Sequence, residues 1–487
     1  MVSFGCKIGR QYKRSYAAAK VTNSTGDWIP VNPNINDLIR SSHQMVTSRI
    51  KQLVRDFPYF ARAVRNIVDF TVGVGLKLQA RVKGPDNKLD RVLNQKIEDA
   101  FNFWSDEADI RGLQDFYEMQ QLAKRQDVEN GEFFVIFRKV NDKNRFLPFA
   151  IQLMDSKWLT SLGAKPQGKN RIDMGIEYDP ATGRAVAYHF TDPDGWGKTV
   201  RIPAENMIHG FEVIDSDQIR GMSIFTPAIL LAHDLDDYIS AEIDAAKLAS
   251  KWLAFVVSPN PGIRQATTIY GDSYERIDEL ENAIIEYLRP GEEIKFAASN
   301  RTANAFNPFV KFILRTVAIT VGVSYELLTG DYEGINYSNL RGIRNDIIKG
   351  FKPMQRRMER QFCRKIYAKF MDFAVMSGKL NIPDYFQNRL KYLKASWLPP
   401  GIESIDPLRE GKADIDQVKA KLKSPIEIIK SRGRDPEVVL DEFAEFMRML
   451  EERGLTMEDV STALANNPAI LTDEEKGDPA LIYAYGG

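Results

Sequence analysis

Apolar residues recur along this chain at two periods, and the switches between them mark its parts. From Asp37 to Val72 the spacing is helical, broken at Asp56-Phe57-Pro58 and resumed through Tyr59, Ala63, Asn66/Ile67 and Phe70, until Gly73 and Gly75 stop it. LKLQARV (Leu76 to Val82) alternates and predicts a strand, and KLDRVLNQKIEDAFNFWSDEA and LQDFYEMQQLAKRQDVEN predict two helices. After Gly131 the period falls to two. EFFVIFRKV, PFAIQLMD, GIEYDPATGRAVAYHF and TVRIPAENMIHGFEV read as strands, the third folded on itself at Asp179-Pro180-Ala181-Thr182-Gly183.

The helical period then returns. Thr226-Pro227 offers an N-cap and a first-turn proline to a long helix in which Ala241, Ala245, Ala246 and Ala249 leave room for a close neighbour. Between Val256 and Asn304 lies a small excursion: an apolar strand, a helix around SYERIDELENAIIEYL, Pro290-Gly291 and EEIKFAAS. Asn304 to Leu328 predicts a second long helix. Beyond a short loop, Ile343, Ile347, Phe351, Met354, Met358, Phe362, Ile366 and Phe370 step by threes and fours, with Pro353 set to bend the axis by clashing with the carbonyl of Lys349. Asp406-Pro407, Ser424-Pro425 and Asp435-Pro436 each pair a capping side chain with a proline, which predicts a small helical body from Ile405 to Ala465. The first 35 or so residues read as a polar arm and those after Asn466 as a loose tail.

Composition narrows the function classes. The 487 residues exceed one compact core, so several sub-domains are expected. With 66 basic and 66 acidic residues there is no global field to attract nucleic acid or membrane. Cys6 and Cys363 read as free thiols of a reducing compartment, and the start, MVSFGCKIGRQYKRSY, lacks the apolar run of a signal peptide. No stretch approaches the roughly 20 apolar residues of a membrane span, so a soluble protein made in a cytoplasm is expected.

The search for chemistry returns near-misses. DPDGWGKT (Asp192 to Thr199) ends like a phosphate-binding loop but has Asp192 where glycine is required, and its strand flanks favour a hairpin turn. GMSIF has Phe225 where a nucleophile elbow needs glycine, which leaves Ser223 as an ordinary serine. His43, His189, His209 and His233 share no metal-ligand spacing. Asp234, Asp236 and Asp237 favour a helix dipole and face solvent. Arg341, Arg344, Lys349, Lys352, Arg356, Arg357, Arg360, Arg364 and Lys365 make the helix after the loop basic on its polar sides, a solvated or intersubunit face since no aromatics interleave for base stacking. No catalytic residue, cofactor or metal is expected.

Five segments carry a resemblance: LVRDFPYFARAVRNIVDFTVGVGLKLQ, NGEFFVIF, IPAENMIHGFEVIDSDQIRGMSIFTPAI, GVSYELLTGDYEGINYSNLR and WLPPGIESIDPLREGKADI. Together, in order over residues 38 to 460, they resemble the lambda-type portal proteins of tailed bacteriophages. The resemblance implies an α+β, multi-domain portal fold assembled as a dodecameric ring at one capsid vertex of the virion, through which double-stranded DNA is packaged and ejected. Applied to this chain, it implies an arm (1–37), a β-rich wing (38–222), a first stem helix (223–255), a small α/β clip (256–303) and a second stem helix (304–328). A tunnel loop (329–337), a long kinked helix returning to the wing (338–404), a helical crown (405–465) and a flexible tail (466–487) follow.

The same resemblance implies as partners the terminase large subunit, a head-tail adaptor, and the major capsid and scaffolding proteins, with no membrane and with ATP hydrolysis left to terminase. Thr329, Gly330, Asp331, Tyr332, Glu333, Gly334, Ile335, Asn336 and Tyr337 would form the tunnel loop, with Lys247, Lys251, Lys311 and Arg315 as channel-facing stem cations. Tyr274, Glu275, Asp278, Glu281 and Glu286 would be the clip's docking region. On that reading the two glycines give the loop an adjustable backbone, and Asp331 and Glu333 repel passing phosphates. Without the family match, the loop would equally be a Gly-rich interhelix connection. The rivals are a packaging ATPase or nuclease, which would need the missing phosphate loop, and a monomeric nucleic-acid-binding protein using the basic helix 341–369.

Overall fold

The computed structural model describes residues 33–192, 197–251, 255–257, 293–295, 303–401 and 406–459. Its described part is α+β. Helices α1 (Ile35–Asp56) and α2 (Pro58–Thr71) are separated at the predicted break. Strand β1 (Lys77–Ala80) and helices α3 (Arg91–Ser105) and α4 (Phe116–Asn130) follow, the last two capped by the side chains of Asp90 and Asp115. Strand β1 is buried at three successive positions, so the predicted alternation does not govern it.

Strands β2 (Glu132–Lys139), β3 (Phe149–Met154) and β8 (Met207–Phe211) form one antiparallel sheet in the order β3-β2-β8. Strands β4 (Arg171–Asp173), β5 (Ile176–Tyr178), β6 (Ala185–Thr191) and β7 (Thr199–Pro203) form a second, antiparallel throughout. Both predicted hairpins are present, β5 to β6 and β6 to β7. The run TVRIPAENMIHGFEV, by contrast, is two strands in different sheets, because a single 3-10 turn over Ala204–Asn206 carries the chain from one to the other.

Three cores explain the sequence pattern. EFFVIF is apolar at nearly every position because β2 is covered on both faces. Phe133 and Val135 enter the first core, with Phe101, Trp104, Phe116, Phe149 and Phe370. Phe134 and Ile136 enter a smaller core between the sheets, with Tyr188 and Phe190. The remaining core joins α1 and α2 to α5 (Ile229–Lys251), α6 (Ala303–Val321), α7 (Tyr325–Thr329) and α8 (Tyr337–Met358), through Phe60, Phe225, Leu235, Leu314, Val317 and Phe351.

The long apolar stripe passes from one core to another. Residues Ile343 to Met354 pack into the core of α1, α2, α5 and α6, while Met358, Phe362, Ile366 and Phe370 pack into the first. A residue every four positions drifts about 40° per step on an ideal helix. The wider π turn over Glu359–Cys363, between α8 and α9 (Arg364–Met376), absorbs that drift. Pro353 lies within α8, as predicted.

Two expectations are corrected. The helix expected over 304–328 ends at Val321: Gly322 takes a left-handed φ of +73°, and Ser324 caps the separate helix α7. Thr226 is no N-cap. It lies in a 3-10 turn, Thr226–Ala228, where its hydroxyl donates to the carbonyl of Ser223, which leaves the Ser223 hydroxyl to accept from the Phe225 N–H. The short strands β9 (Phe255–Val257) and β10 (Glu293–Lys295) pair antiparallel, and the helix expected between them lies outside the described residues.

The remaining described elements are helix α10 (Arg389–Tyr392), strand β11 (Ala395–Leu398), which pairs with β1, and helices α11 (Pro407–Lys419), α12 (Pro425–Ser431) and α13 (Pro436–Glu452). All three predicted caps are made, by Asp406, Ser424 and Asp435.

Residues 212–225, which lead into α5, are fixed by an ion cluster at each end, the one at Glu132 fully buried. The fully buried carboxylate of Glu132 accepts from Arg220 (Nε at 3.0 Å), from the Gly221 N–H at 3.1 Å and from His209 Nε2 at 3.0 Å, with His43 Nε2 3.4 Å away. Burial alone would push the Glu132 carboxyl up, yet Arg220 and His209 more than offset it and hold it well below the usual range. Gly131 and Gly221 are obligatory beside it: a Cβ on Gly131 would collide with the Met222 backbone, and one on Gly221 with the Gly131 carbonyl. At the other end Arg357 bridges Glu212 and Asp127, each at 2.7 Å, and Asp127 also accepts from the buried Lys124 at 2.7 Å.

Glu132→Ala is therefore expected to cost about 3–5 kcal/mol in urea unfolding, since it leaves Arg220 buried without its partner. The depressed carboxyl contributes stability above its ordinary range, which is lost as pH falls through and below it, so the wild-type curve should drop on acidification more than that of Glu132→Gln. Equal losses in both chains would refute the assignment.

Candidate functional site

The segment between α6 and α8 is built on short local interactions. Helix α7 is fastened from below by Asn66 of α2, whose amide donates to the Leu327 carbonyl at 3.1 Å, and by the buried Leu328. It ends at Gly330, in the left-handed region at φ +76°, whose N–H returns to the Glu326 carbonyl. The loop proper is 330–336, with Thr329 the last residue of α7 and Tyr337 the first of α8. Gly334 also has positive φ, Ile335 is half-buried under the turn it closes with Tyr332, and the Asn336 side chain caps α8 by accepting from the Asn339 N–H.

Asp331 is the hub. Its carboxylate accepts from the Glu333 N–H at 3.2 Å, from the Tyr325 hydroxyl at 3.1 Å and from Lys311 Nζ of α6 at 3.2 Å. Its own N–H donates to the Thr329 hydroxyl, and the Arg315 guanidinium lies over the Tyr325 ring. The Glu333 N–H first, then Lys311 and Tyr325, hold the Asp331 carboxyl below its usual range, and Asp331 in turn holds Lys311 above its own. Asp331, one of the two acids expected to repel passing phosphates, is thus held in a local network. Asp331 is neutralised by Lys311, and the exposed tip presents Tyr332, Glu333 and Gly334.

Of the four stem cations singled out in the sequence, Lys311 and Arg315 converge on this loop, and Arg315 reaches it through Tyr325, which the sequence reading had not picked out. Lys247 does not join them. It lies on α5 nine residues past Tyr238, the ring that meets Phe309 of α6, and it pairs with Asp244 at 3.1 Å. Lys251 ends α5, its side chain outside the described residues, where Tyr274, Glu275, Asp278, Glu281 and Glu286 also lie.

The basic helix is less free than its composition suggests. Arg344 pairs with Glu410 of α11, Arg357 with Asp127 and Glu212, and Arg364 with Glu359. Arg341, Lys349, Lys352, Arg356 and Arg360 remain on the exposed surface. The Ser223 hydroxyl donates to the Val128 carbonyl as a buried structural bond. Among the described residues no group of histidines, cysteines or acids is arranged to hold a metal ion, and no helix is long and apolar enough to cross a membrane.

A family model described as phage portal protein, lambda family, matches residues 22–355. The chain is 25% identical over 487 aligned positions to the probable portal protein of Halomonas phage phiHAP-1, covering 96% of this chain and 92% of that protein. It is 21% identical to portal protein B of Escherichia phage lambda, over 93% of this chain and 92% of that one. Solved structures that align with this chain include one from the virion of a native gene transfer agent particle, with a TM-score of 0.46 and 14% identity over 85% of this chain and 97% of that one. Another is from the neck of an empty particle of this kind computed with C6 symmetry, with a TM-score of 0.48 and 15% identity over 80% of this chain and 94% of that one.

Lys311→Ala should raise amide hydrogen exchange over residues 330–336 while leaving the melting temperature unchanged, and high salt should do the same to the wild type because the pair is partly exposed. Acidification through the Asp331 titration should also free the loop, since its stabilising charge is present only above it. Exchange that ignores both substitution and salt would show that Lys311 does not hold the loop.

Proposed function

The chain belongs to the lambda family of phage portal proteins, and from that premise we propose that it works as a ring that conducts double-stranded DNA at one vertex of the virion. The observation that carries the ring is apolar surface that a single copy leaves bare. On α6, Phe309, Phe312 and Ile319 lie on one exposed stripe, Phe312 at 69% and Ile319 at 79% of full exposure. On α13, Leu440, Phe443 and Met447 line one exposed face, and Leu408, Ile415 and Ile426 are exposed on α11 and α12. Contiguous apolar surface of this kind marks an interface. A second copy is the occupant that the portal family supplies for these faces, and a head-to-tail contact whose rotation closes generates a ring.

Within that ring, residues 38–222 serve as the wing, 223–255 and 304–328 as the stem, 256–303 as the clip and 405–465 as the crown, with twelve copies as the number the family resemblance implies. The 329–337 loop borders the channel. Duplex DNA carries about one charge per 1.7 Å, so a strongly basic collar would grip it. A loop whose aspartate is balanced by Lys311 of α6, with Tyr332 and Glu333 at its tip, supports sliding instead. The part is mechanical: terminase, docked at the clip, hydrolyses ATP during packaging, the head-tail adaptor takes the same place afterwards, and capsid and scaffolding proteins surround the ring during assembly. The stripe Lys349, Lys352, Arg356 and Arg360 favours one rival, a monomer that binds nucleic acid along this helix.

Native mass and electron microscopy of one purified sample decide between them. Rings of about a dozen copies with a central hole are expected, and Phe443→Asp or Phe312→Asp should shift the mass to monomer with unchanged circular dichroism. A wild-type monomer at high concentration that binds duplex in a salt-sensitive manner would favour the rival.

A further inference from the structure

The ring makes no use of the cations along α8. Lys349, Lys352, Arg356 and Arg360 step by three, four and four, so they fall on one face of the helix and of the π turn that follows it, and all four are exposed. The other arginines nearby are engaged: Arg344 with Glu410, Arg357 with Asp127 and Glu212, and Arg364 with Glu359. Glu212 and Glu359, the acids beside Arg356 and Arg360, are thereby already taken. Among the described residues no ion pair engages the four cations, and Asp346 is the only acid within α8. Like charges one turn apart repel and weaken a helix, so one copy alone carries this face unfavourably, and an external polyanion would relieve it.

The stripe also has dimensions. The eleven steps from Lys349 to Arg360, at about 1.5 Å each, span about 16 Å, over which one strand of a duplex carries about five phosphates. At its far end Arg356 and Arg360 border a groove of about 350 Å³ lined also by Phe211, Val213, Pro353 and Met354. That apolar lining lowers the dielectric beside the two guanidiniums and strengthens their pull on an anion. No aromatic side chain lies on the stripe itself to stack an unpaired base, which favours a duplex over a single strand.

We propose that this stripe is a second duplex-binding surface, separate from the 329–337 loop, on which each copy grips the phosphate backbone. Lysines and arginines that meet phosphates position a duplex without reading its sequence. The loop, with its aspartate balanced, suits DNA that slides, whereas four unbalanced cations suit DNA that is held. The proposal takes from the ring reading only that duplex DNA meets the protein, and its contacts lie within one copy.

Binding of the full chain to a duplex of mixed sequence, followed by fluorescence anisotropy across a salt series, tests it. The monomeric Phe443→Asp chain is measured beside the wild type, so that one copy's contacts are counted and a failure of the ring leaves the test intact. Four phosphate contacts predict a slope of log K against log salt of about −3.6 in that monomer, equal to about a hundredfold loss between 50 and 200 mM. Replacing Lys349, Lys352, Arg356 and Arg360 together by glutamine, with circular dichroism unchanged, should remove most of that slope, and each single replacement about one unit of it. Glutamine at Lys165, Lys169 and Arg171, exposed cations around the start of β4, should leave the slope as it was. No duplex binding at low salt, a four-residue variant that keeps the slope, or a control variant that loses as much would overturn the proposal. A kept slope together with loss of the ring in the four-residue variant would assign the stripe instead to a contact with the next copy.

Discussion

The carboxylate of Glu132 is the constraint from which most of this structure follows. A buried charge is tolerable only with its partners in place, and the partners here come from β8, from α1 and from the segment leading into α5. Satisfying one side chain therefore fixes the edge of a sheet, the first helix and the entry to a long helix relative to one another. The Gly131–Gly221 approach is part of the same joint, since Arg220 and Gly221 reach the carboxylate only if the two backbones nearly touch.

From that joint the arrangement of the loop follows. Helices α5 and α6 share a core with α2, and α2 reaches up through Asn66 to hold α7. With α6 and α7 both placed, Lys311 and Tyr325 converge on Asp331, and the loop becomes a compact turn with its charge balanced at its base. The polar logic of the loop is local, but the position of its anchor is inherited from the core.

Elsewhere the molecule divides its basic residues between two uses. Arg344 and Arg357 brace α8 against α11 and against the segment after β8, and the cations left on the surface form a stripe along the opposite side of the helix. The apolar faces of α6 and α13 are likewise left over after the internal cores are filled. Neither surface contributes to the cores that hold the described residues together.

Much was legible in the sequence because it rests on neighbours along the chain. Helical periodicity, the Pro58 break, the hairpin at Asp179 to Gly183 and the Asp406, Ser424 and Asp435 caps depend on interactions within a few residues, and these elements stand where the pattern put them. The order of segments also sufficed to indicate the family. What only the tertiary structure decided involves partners distant in sequence. Glu132 finding Arg220, the division of one apolar run between two sheets at Ala204, and the neutralising of Asp331 by Lys311 leave no periodic trace, because a salt bridge across 20 or 88 residues imposes no spacing on the chain that makes it.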